Sequence, residues 1–119
     1  MNTVKFRKAA KVKYPATYAP ESRTDVEANR FNCAQRSHAN FTENQPSFLV
    51  ALLVSGLRFP LAAAAMGAGW SVCRVLYMTG YTRGDEGGKG RYQGILHTPL
   101  QAVLTLMAAY TGVMMILEK

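Results

Sequence analysis

The amino-acid sequence predicts an all-α integral membrane protein, and three observations support this fold class. Residues 98–117 contain no charged side chain, and 20 helical residues rising about 1.5 Å each can cross a hydrocarbon core of about 30 Å. Basic residues are unevenly distributed, because residues 1–30 hold seven of the 14 Lys and Arg side chains. Polar side chains recur at helical spacing just before the apolar stretch 48–57. We therefore expect a single membrane domain, residues 1–119, built as a bundle of three transmembrane helices.

The chain begins with a basic segment, residues 1–24, which we expect at the membrane surface. Tyr14 and Ala19 each precede a proline, and a residue before proline is pushed out of the α-helical region. The segment shows no zinc-ligand spacing, RNA-binding aromatic signature or helix-turn-helix pattern. We therefore attribute the net charge of +7 to contact with anionic lipid headgroups and predict no binding of nucleic acid.

Three membrane helices are expected after this segment. The first covers about 25–57, with Thr24 or Asp25 as its N-cap. The second covers 60–81 and begins with a proline, which suits the first turn of a helix. The third covers about 96–117 and includes the charge-free stretch described above.

Glycines mark two further features of the chain. Residues 67–69 (GAG) either let two helices approach closely or leave the second helix flexible. The loop between the second and third helices, residues 82–95, contains RGDEGGKGR over 83–91 and is too polar for hydrocarbon, so it must face water. It is not a phosphate-binding P-loop, because Gly90 rather than Ser or Thr follows Lys89.

The basic residues also predict the orientation in the membrane. With three spans, the N-terminal residues and loop 82–95 share one side and together hold ten basic residues, whereas the other side holds Arg58 and Lys119. Cytoplasmic surfaces of membrane proteins carry an excess of Lys and Arg. We expect the basic side to face the cytosol.

The two cysteines are predicted to be small buried thiols. Cys33 and Cys73 lie on different predicted helices and belong to no CxxC or paired Cys/His pattern. We expect neither a disulfide nor a metal site.

Polar side chains on the first predicted helix form one stripe. Arg36, Asn40 and Glu43 recur at spacings of four and three, and Asn32 and Ser47 extend the same face. A charge at membrane depth is costly unless it faces the interior of a bundle or a wet cavity. The stripe therefore predicts a binding site.

The second predicted helix carries a similar stripe of Arg74, Tyr77 and Tyr81. If the two stripes face each other, arginines can bind carboxylates, tyrosines can donate hydrogen bonds, and Glu43 can accept one from an ammonium group. Such a cleft suits a small zwitterion with several carboxylates. Two other interpretations stay open: arginines that extend to the interface, and tyrosines in an interfacial aromatic belt.

The two histidines give weaker indications. His38 lies off the first stripe and has no second histidine near it in sequence, so hydrogen bonding is a better expectation than metal binding. His97 stands at the start of the third predicted helix, and we expect it at the membrane interface.

Several runs of residues together resemble a known family. They are KVKYP at 11–15, FNCAQRSHAN at 31–40, Glu43 with Pro46 and Phe48, and GWSVCRVLYMTGY at 69–81. On these residues the chain resembles the MAPEG superfamily, the membrane-associated proteins of eicosanoid and glutathione metabolism. Within it the chain is most similar to the type-three microsomal glutathione S-transferases, and the resemblance covers nearly the whole chain.

The resemblance implies a four-helix membrane bundle that forms a homotrimer and binds glutathione between subunits near the cytosolic face. His38 stands where a relative has a glutamine contact. Arg7 matches a basic residue that can reach a neighbour's site. The motif match assigns the glutathione contacts to Arg36, His38, Asn40, Glu43, Arg74 and Tyr77.

The resemblance also implies an enzyme. Glutathione would be the co-substrate, conjugated to hydrophobic, lipid-like electrophiles, with reduction of lipid hydroperoxides as a second activity and no metal. A free thiol with a pKa near 8.5 is mostly protonated at neutral pH, so a cation must stabilise the thiolate. The resemblance assigns this task to an arginine beyond the tyrosine pair, for which Arg91 is the first candidate and Lys89 the second. Tyr81 is the other catalytic candidate.

One departure from the family pattern keeps alternatives open. The family has an apolar helix before its basic segment, and this chain begins where only the cytosolic end of that helix would remain. A non-enzymatic member of the same fold that presents a lipid, or a small structural subunit of a membrane complex, would also fit. The expected location is the endoplasmic reticulum membrane, with the mitochondrial outer membrane as the alternative.

Overall fold

The computed structural model describes residues 2–83 and 88–119, and within these residues the chain is helical and contains no strand. The elements are α1 (Asn2–Ala10), α2 (Val26–Arg58), α3 (Pro60–Arg83), a short 3₁₀ helix (Lys89–Gly94) and α4 (His97–Leu117). The all-α prediction is confirmed. Two of the helices begin close to the predicted residues. A proline begins α3, and Asp25 caps the start of α2 by accepting a hydrogen bond from the backbone N–H of Ala28.

The core of the bundle lies between α2, α3 and α4. The rings of Phe48 and Trp70 stack in parallel, with centroids 3.7 Å apart and planes 7° apart. Leu104 of α4 is fully buried against this pair. Consecutive helices run antiparallel, so the same end of the bundle receives the start of α2, the end of α3 and the start of α4.

Small and polar residues hold the helices together at close range. A side chain on Gly67 would overlap Leu52 of α2, and a side chain on Gly69 would crowd Leu100 of α4. The small residues at 67–69 therefore form a packing surface rather than a flexible stretch. The buried hydroxyl of Ser55 also donates a hydrogen bond to a carbonyl oxygen of α4 at 2.9 Å.

Two stretches, Pro60–Arg83 and Lys89–Leu117, are long and apolar enough to cross a membrane. Only 28% and 11% of their apolar windows are buried inside the chain, whereas the core helix of a soluble protein would be mostly buried. The outer faces of both stretches expose large aliphatic side chains. This surface is what a lipid-embedded helical bundle requires. That α2 provides a third span stays a prediction, because its N-terminal half is polar.

The N-terminal segment contains a helix, which the two prolines did not indicate but which the family resemblance implied as the cytosolic end of a first helix. Residues Asn2–Ala10 form α1, which lies before both X-Pro bonds and is therefore not affected by them. Ala10 packs against Ala28 and Phe31 of α2, so burial of this apolar face stabilises the short helix.

The predicted loop between the second and third helices contains a further element. A 3₁₀ helix over Lys89–Gly94 lies directly against α3. Side chains on Gly80 and Gly90 would each overlap the other's backbone, and one on Gly94 would overlap the backbone of Cys73 and Tyr77. Three glycines thus allow the 3₁₀ helix to contact α3 backbone to backbone. Part of the predicted RGDEGGKGR sequence, residues 84–87, lies outside the described residues.

Candidate functional site

A polar groove of about 310 Å³ lies at the basic end of the bundle, between α2 and α3. The groove brings both predicted polar stripes to one place. Five of the eight candidate site residues line it. The full lining consists of Tyr18, Arg36, Ala39, Asn40, Glu43, Tyr77 and Tyr81.

The α2 side of the groove carries the charges. Arg36 and Glu43 are exposed, whereas Asn40 between them is partly buried. Their common face follows from the helical period of 3.6 residues, as the sequence predicted. The groove therefore offers a cation, an amide and a carboxylate along one helix.

The α3 side of the groove consists of two tyrosines. Tyr77 and Tyr81 are each 8% exposed, and their rings meet edge to face with centroids 5.5 Å apart. Cys33 packs against both rings from α2. Both cysteines are free; Cys33 is buried, as predicted, whereas Cys73 is only partly buried. Both tyrosines face the interior of the bundle.

Arg74 lies beneath the polar groove and does not line it. The side chain is 6% exposed, and its Nη1 donates a hydrogen bond to Asn40 Oδ1 at 2.7 Å. The guanidinium carbon lies 4.8 Å from the centroid of the Tyr77 ring. Arg74 is therefore buried in the bundle and contacts the groove through Asn40.

His97, expected at the membrane interface, is buried inside the bundle at the start of α4. The imidazole is 5% exposed and lies edge-on to the ring of Tyr77, with centroids 5.1 Å apart. Its Nε2 contacts Arg74 Nη1 at 3.0 Å, and its Nδ1 contacts the carbonyl oxygen of Gly94 at 2.7 Å. No local sequence pattern indicated this burial, which comes from contacts with Trp70 and Tyr77 of α3 and with Gly94.

Arg91, on the 3₁₀ helix, lies beside Tyr81 but is not among the residues that line the groove. Its guanidinium carbon lies 5.4 Å from the centroid of the Tyr81 ring, and Nη1 donates to the carbonyl oxygen of Gly88 at 3.0 Å. Gly88 adopts a φ of 80°, a conformation that disfavours residues with a Cβ, and it lies against the Tyr81 ring. Lys89 is exposed. The structure thus brings Arg91, the first candidate, beside Tyr81.

His38, one of the eight candidates, and Arg7, which the resemblance also singled out, do not line the groove. His38 is exposed on α2 and is not among the groove-lining residues. Arg7 is 9% exposed and donates from Nη1 to the carbonyl oxygen of Ala16 at 2.7 Å. Its guanidinium also lies over the rings of Tyr14 and Phe31. Within this chain Arg7 holds the N-terminal segment against α2.

Tyr18 is a groove residue that the sequence did not indicate. It lies in the segment after α1, which folds back over α2 because Asn32 Oδ1 accepts a hydrogen bond from the N–H of Ala19 at 2.9 Å. Gln35 donates to the carbonyl oxygen of Thr17 at 2.6 Å. Asn32, predicted as part of the binding stripe, is therefore used to hold Tyr18 in place.

A second, apolar groove of about 390 Å³ lies beside the polar one, farther along α2 and α3. Arg74 lines it and also donates a hydrogen bond to Asn40, which lines the polar groove. The apolar groove includes the stacked Phe48–Trp70 pair and exposed aliphatic side chains. Its lining consists of Phe41, Gln45, Phe48, Leu49, Trp70, Ser71, Arg74 and Val75.

The chemistry available at this site is that of anion binding and proton donation. Within residues 2–83 and 88–119 no group of three His, Cys, Asp or Glu side chains could hold a metal ion. Arginine, amide and phenol groups can bind carboxylates, and Glu43 can bind an amine. The arrangement suits a small polar ligand in one groove and an apolar molecule in the other.

Comparison with known protein families gives a match along almost the whole chain. The model of the MAPEG family matches residues 1–113. The matched residues include α1 to α3, the 3₁₀ helix and most of α4.

Proposed function

The chain belongs to the MAPEG family, and from this premise we propose that it is a membrane-bound glutathione transferase of the type-three microsomal class. It would conjugate glutathione to hydrophobic electrophiles and reduce lipid hydroperoxides with the same thiolate. The family includes glutathione transferases and related enzymes. The observation that carries the proposal is the convergence of Arg36, Asn40, Glu43, Tyr77 and Tyr81 on one groove.

The α2 side of the groove matches the charges of glutathione. The tripeptide carries two carboxylates and one ammonium group at neutral pH. Arg36 can bind a carboxylate through two parallel hydrogen bonds, and Glu43 can accept from the ammonium group. Asn40 presents its amide N–H₂ group, because its Oδ1 already accepts from Arg74. Arg36 and Asn40 can thus donate hydrogen bonds to the two carboxylates of glutathione, and Glu43 can accept one from its ammonium group.

The α3 side of the groove supplies the chemistry at sulfur. Tyr81 is buried at the groove wall and can donate its hydroxyl proton in a hydrogen bond to the sulfur. Arg91, beside the Tyr81 ring, brings a permanent positive charge that favours the thiolate over the thiol. We assign Arg91 and Tyr81 as catalytic residues on this basis. The thiolate then attacks the electrophilic carbon and forms the carbon–sulfur bond, while the leaving group, for example the halide of an aryl halide, departs with the electron pair of its broken bond to carbon. With a lipid hydroperoxide the thiolate attacks the O–O bond and releases the lipid alcohol, and a second glutathione converts the oxidised sulfur to glutathione disulfide with loss of water.

In this proposal the apolar groove binds the second substrate, the hydrophobic electrophile. It is lined by aromatic and aliphatic side chains and lies on α2 and α3 where their outer faces are apolar. An electrophile dissolved in the membrane can enter such a groove laterally. His38, on an exposed part of α2, is proposed to contact glutathione held by a neighbouring subunit.

We further propose a homotrimer in the endoplasmic reticulum membrane, with α2, α3 and α4 as spans and the basic end in the cytosol. The groove lies at the same end as α1 and the 3₁₀ helix, which carry Arg and Lys side chains. Glutathione is soluble and abundant in the cytosol, so this orientation gives it access to the groove.

Glutathione binding with thiol ionisation tests the proposal. Purified protein in lipid nanodiscs is titrated with glutathione, and binding heat and the ultraviolet absorbance of the thiolate are recorded. S-methylglutathione should bind without the absorbance change. Arg36→Ala should weaken binding about tenfold, the usual order for one charge-assisted hydrogen-bonded contact.

Arg58→Ala is the matched control, because Arg58 pairs with Glu118 at the opposite end of the bundle. If wild-type protein does not bind glutathione, the transferase proposal is wrong. If it binds glutathione but produces no thiolate and no conjugate with an activated aryl halide, the chain is a non-enzymatic member of the family.

A further inference from the structure

His97 connects the 3₁₀ helix to the polar groove through three consecutive polar contacts. The imidazole lies between the carbonyl oxygen of Gly94 and the guanidinium of Arg74, and Arg74 in turn donates to Asn40. We propose that His97 is a positioning residue that fixes Arg74, and through it the Asn40 amide, in the orientation that binds a carboxylate of glutathione. This inference rests on the proposed function and adds a residue that the groove itself does not contain.

The contacts determine the state of the imidazole. A guanidinium has only donors, so Arg74 Nη1 donates and His97 Nε2 must accept at 3.0 Å. The contact of Nδ1 with Gly94 O at 2.7 Å then requires the ring proton on Nδ1. His97 is thus neutral, with one defined tautomer, and its lone pair points at Arg74.

Packing leaves His97 little freedom to move. Its ring lies edge-on to Trp70 and Tyr77, at centroid distances of 6.5 and 5.1 Å and interplanar angles of 84° and 80°. Gly94, which accepts from it, is in backbone contact with α3. The acceptor offered to Arg74 is therefore held by two elements and by two aromatic rings.

Arg74 depends on this acceptor more than a surface arginine would. It is 94% buried, since its exposed fraction is 6%, and among the described residues it makes no ion pair. Its Nε has no hydrogen-bond partner, so the acceptors from other residues are Asn40 Oδ1 and His97 Nε2, both at Nη1. A buried guanidinium that loses one of two acceptors will reorient to find another.

Reorientation of Arg74 would also change Asn40. An amide whose oxygen is bound by a guanidinium keeps its N–H₂ group free for a ligand, as Asn40 does here. Once that contact is lost, the amide can rotate and present its oxygen, which repels a carboxylate. His97 thereby controls which end of the amide faces glutathione.

Three variants of His97 separate its two hydrogen bonds. In His97→Gln the side-chain oxygen can reach the Nε2 position and accept from Arg74. In His97→Asn the amide can reach only the Nδ1 position, so the bond to Gly94 is kept and the acceptor for Arg74 is lost. In His97→Leu both are lost. Thr105→Val is the control on the same helix, because the Thr105 hydroxyl is exposed and bonds only within α4.

The measurement is glutathione affinity in nanodiscs, with KM and kcat for conjugation and the thermal midpoint of each variant. We expect His97→Asn to raise the Kd and KM for glutathione about tenfold with little change in kcat, because sulfur chemistry involves Tyr81 and Arg91. His97→Gln should restore the affinity to within about threefold of wild type. In an Arg74→Ala background, His97→Asn should cause no further loss, because the contact is already absent.

The outcomes distinguish this inference from the proposed function. If wild-type protein binds glutathione and both His97→Asn and His97→Gln bind it with the wild-type Kd, the positioning role is wrong and the transferase assignment stands. If His97→Asn loses affinity to the same extent with and without Arg74, the two residues act independently and the inference fails. If wild-type protein binds no glutathione, the proposed function fails and this inference fails with it. His97→Leu serves as the fold control, measured by its thermal midpoint.

Discussion

The backbones of Gly80 on α3 and Gly90 on the 3₁₀ helix are in direct contact, and neither position has room for a side chain. This contact sets the distance between the two elements. Arg91 follows Gly90 and Tyr81 follows Gly80, so the pair of glycines brings both catalytic candidates together. The position of Arg91 relative to Tyr81 thus depends on two glycines that have no side chain.

Replacement of Gly80 by Ala should therefore separate Arg91 from Tyr81. The new methyl group would overlap the Gly90 carbonyl, and overpacking of this kind costs about 1–3 kcal/mol. We expect a lower thermal midpoint and loss of the thiolate absorbance, with glutathione still bound at the α2 side of the groove. Absorbance spectroscopy and calorimetry on the same sample measure the two effects.

Gly112→Ala is the matched control for this substitution. Gly112 lies on α4, and a methyl group added there would meet no atom within 4 Å, so alanine fits at this position. Because alanine favours a helix over glycine by up to about 1 kcal/mol, the control should be neutral or slightly more stable. Equal effects at both positions would show that the Gly80–Gly90 contact has no special role.

Arg91→Gln tests which cation stabilises the thiolate. The substitution keeps a side chain that can bond to Gly88 O but removes the charge beside Tyr81. We expect kcat for conjugation to fall by about a hundredfold, the order seen when one electrostatic contact to a reacting anion is removed. The Kd for glutathione should change by less than about threefold, because the carboxylate contacts are on α2.

Lys89→Gln is the comparison, since Lys89 was the second candidate and is exposed on the same 3₁₀ helix. The Lys89→Gln variant should have the wild-type kcat and the wild-type thiolate absorbance. The opposite result, with activity lost in Lys89→Gln and kept in Arg91→Gln, would reverse the assignment.

The parts of the site that the sequence predicted are those set by a single helix. Arg36, Asn40 and Glu43 share a face because an α-helix repeats every 3.6 residues, and the antiparallel packing of consecutive helices brings Tyr77 opposite them. Their convergence on one groove requires only that α2 packs against α3, the next helix in the chain.

The parts that the sequence did not predict depend on contacts between distant segments. Tyr18 reaches the groove only because Asn32 and Gln35 bind the backbone of its loop. His97 is buried because Trp70 and Tyr77 of α3 pack against its ring and Gly94 of the 3₁₀ helix contacts its Nδ1. Neither arrangement has a local periodicity that would predict it.

The ion pair at the start of α2 predicts a dependence of stability on pH. Arg23 binds both carboxylate oxygens of Asp25 at 2.9 and 2.8 Å, and Arg23 also donates to the carbonyl oxygen of Ala10. The Arg23 guanidinium, followed by the N–H of Ala28, lowers the pKa of Asp25 below its ordinary value of 3.8. The Asp25 carboxyl group therefore binds a proton less tightly in the folded protein than in the unfolded chain.

The sign of the effect follows from this difference. Above pH 3.8 both states are ionised and the stabilisation is fully present. As the pH falls below 3.8, the unfolded state takes up the proton first, and stability is lost until the pH has passed the lower folded pKa. Limited proteolysis between α1 and α2 should accelerate over this range, and the acceleration should be absent in Asp25→Asn, which keeps the cap but not the charge. The same acceleration in both proteins would contradict the assignment to Asp25.

Tyr18 should contribute to glutathione affinity although it lies outside the bundle. Its ring lines the polar groove together with Arg36, and the same two residues line a neighbouring cavity of about 570 Å³. We expect Tyr18→Ala to raise the Kd for glutathione about fivefold, or about 1 kcal/mol, because the ligand loses one wall of the groove. Tyr14→Ala, in the same segment but away from the groove, should leave the Kd unchanged. A Kd that responds equally to both would mean that the segment acts through its fold alone, since Tyr14 contacts Arg7 and not the groove.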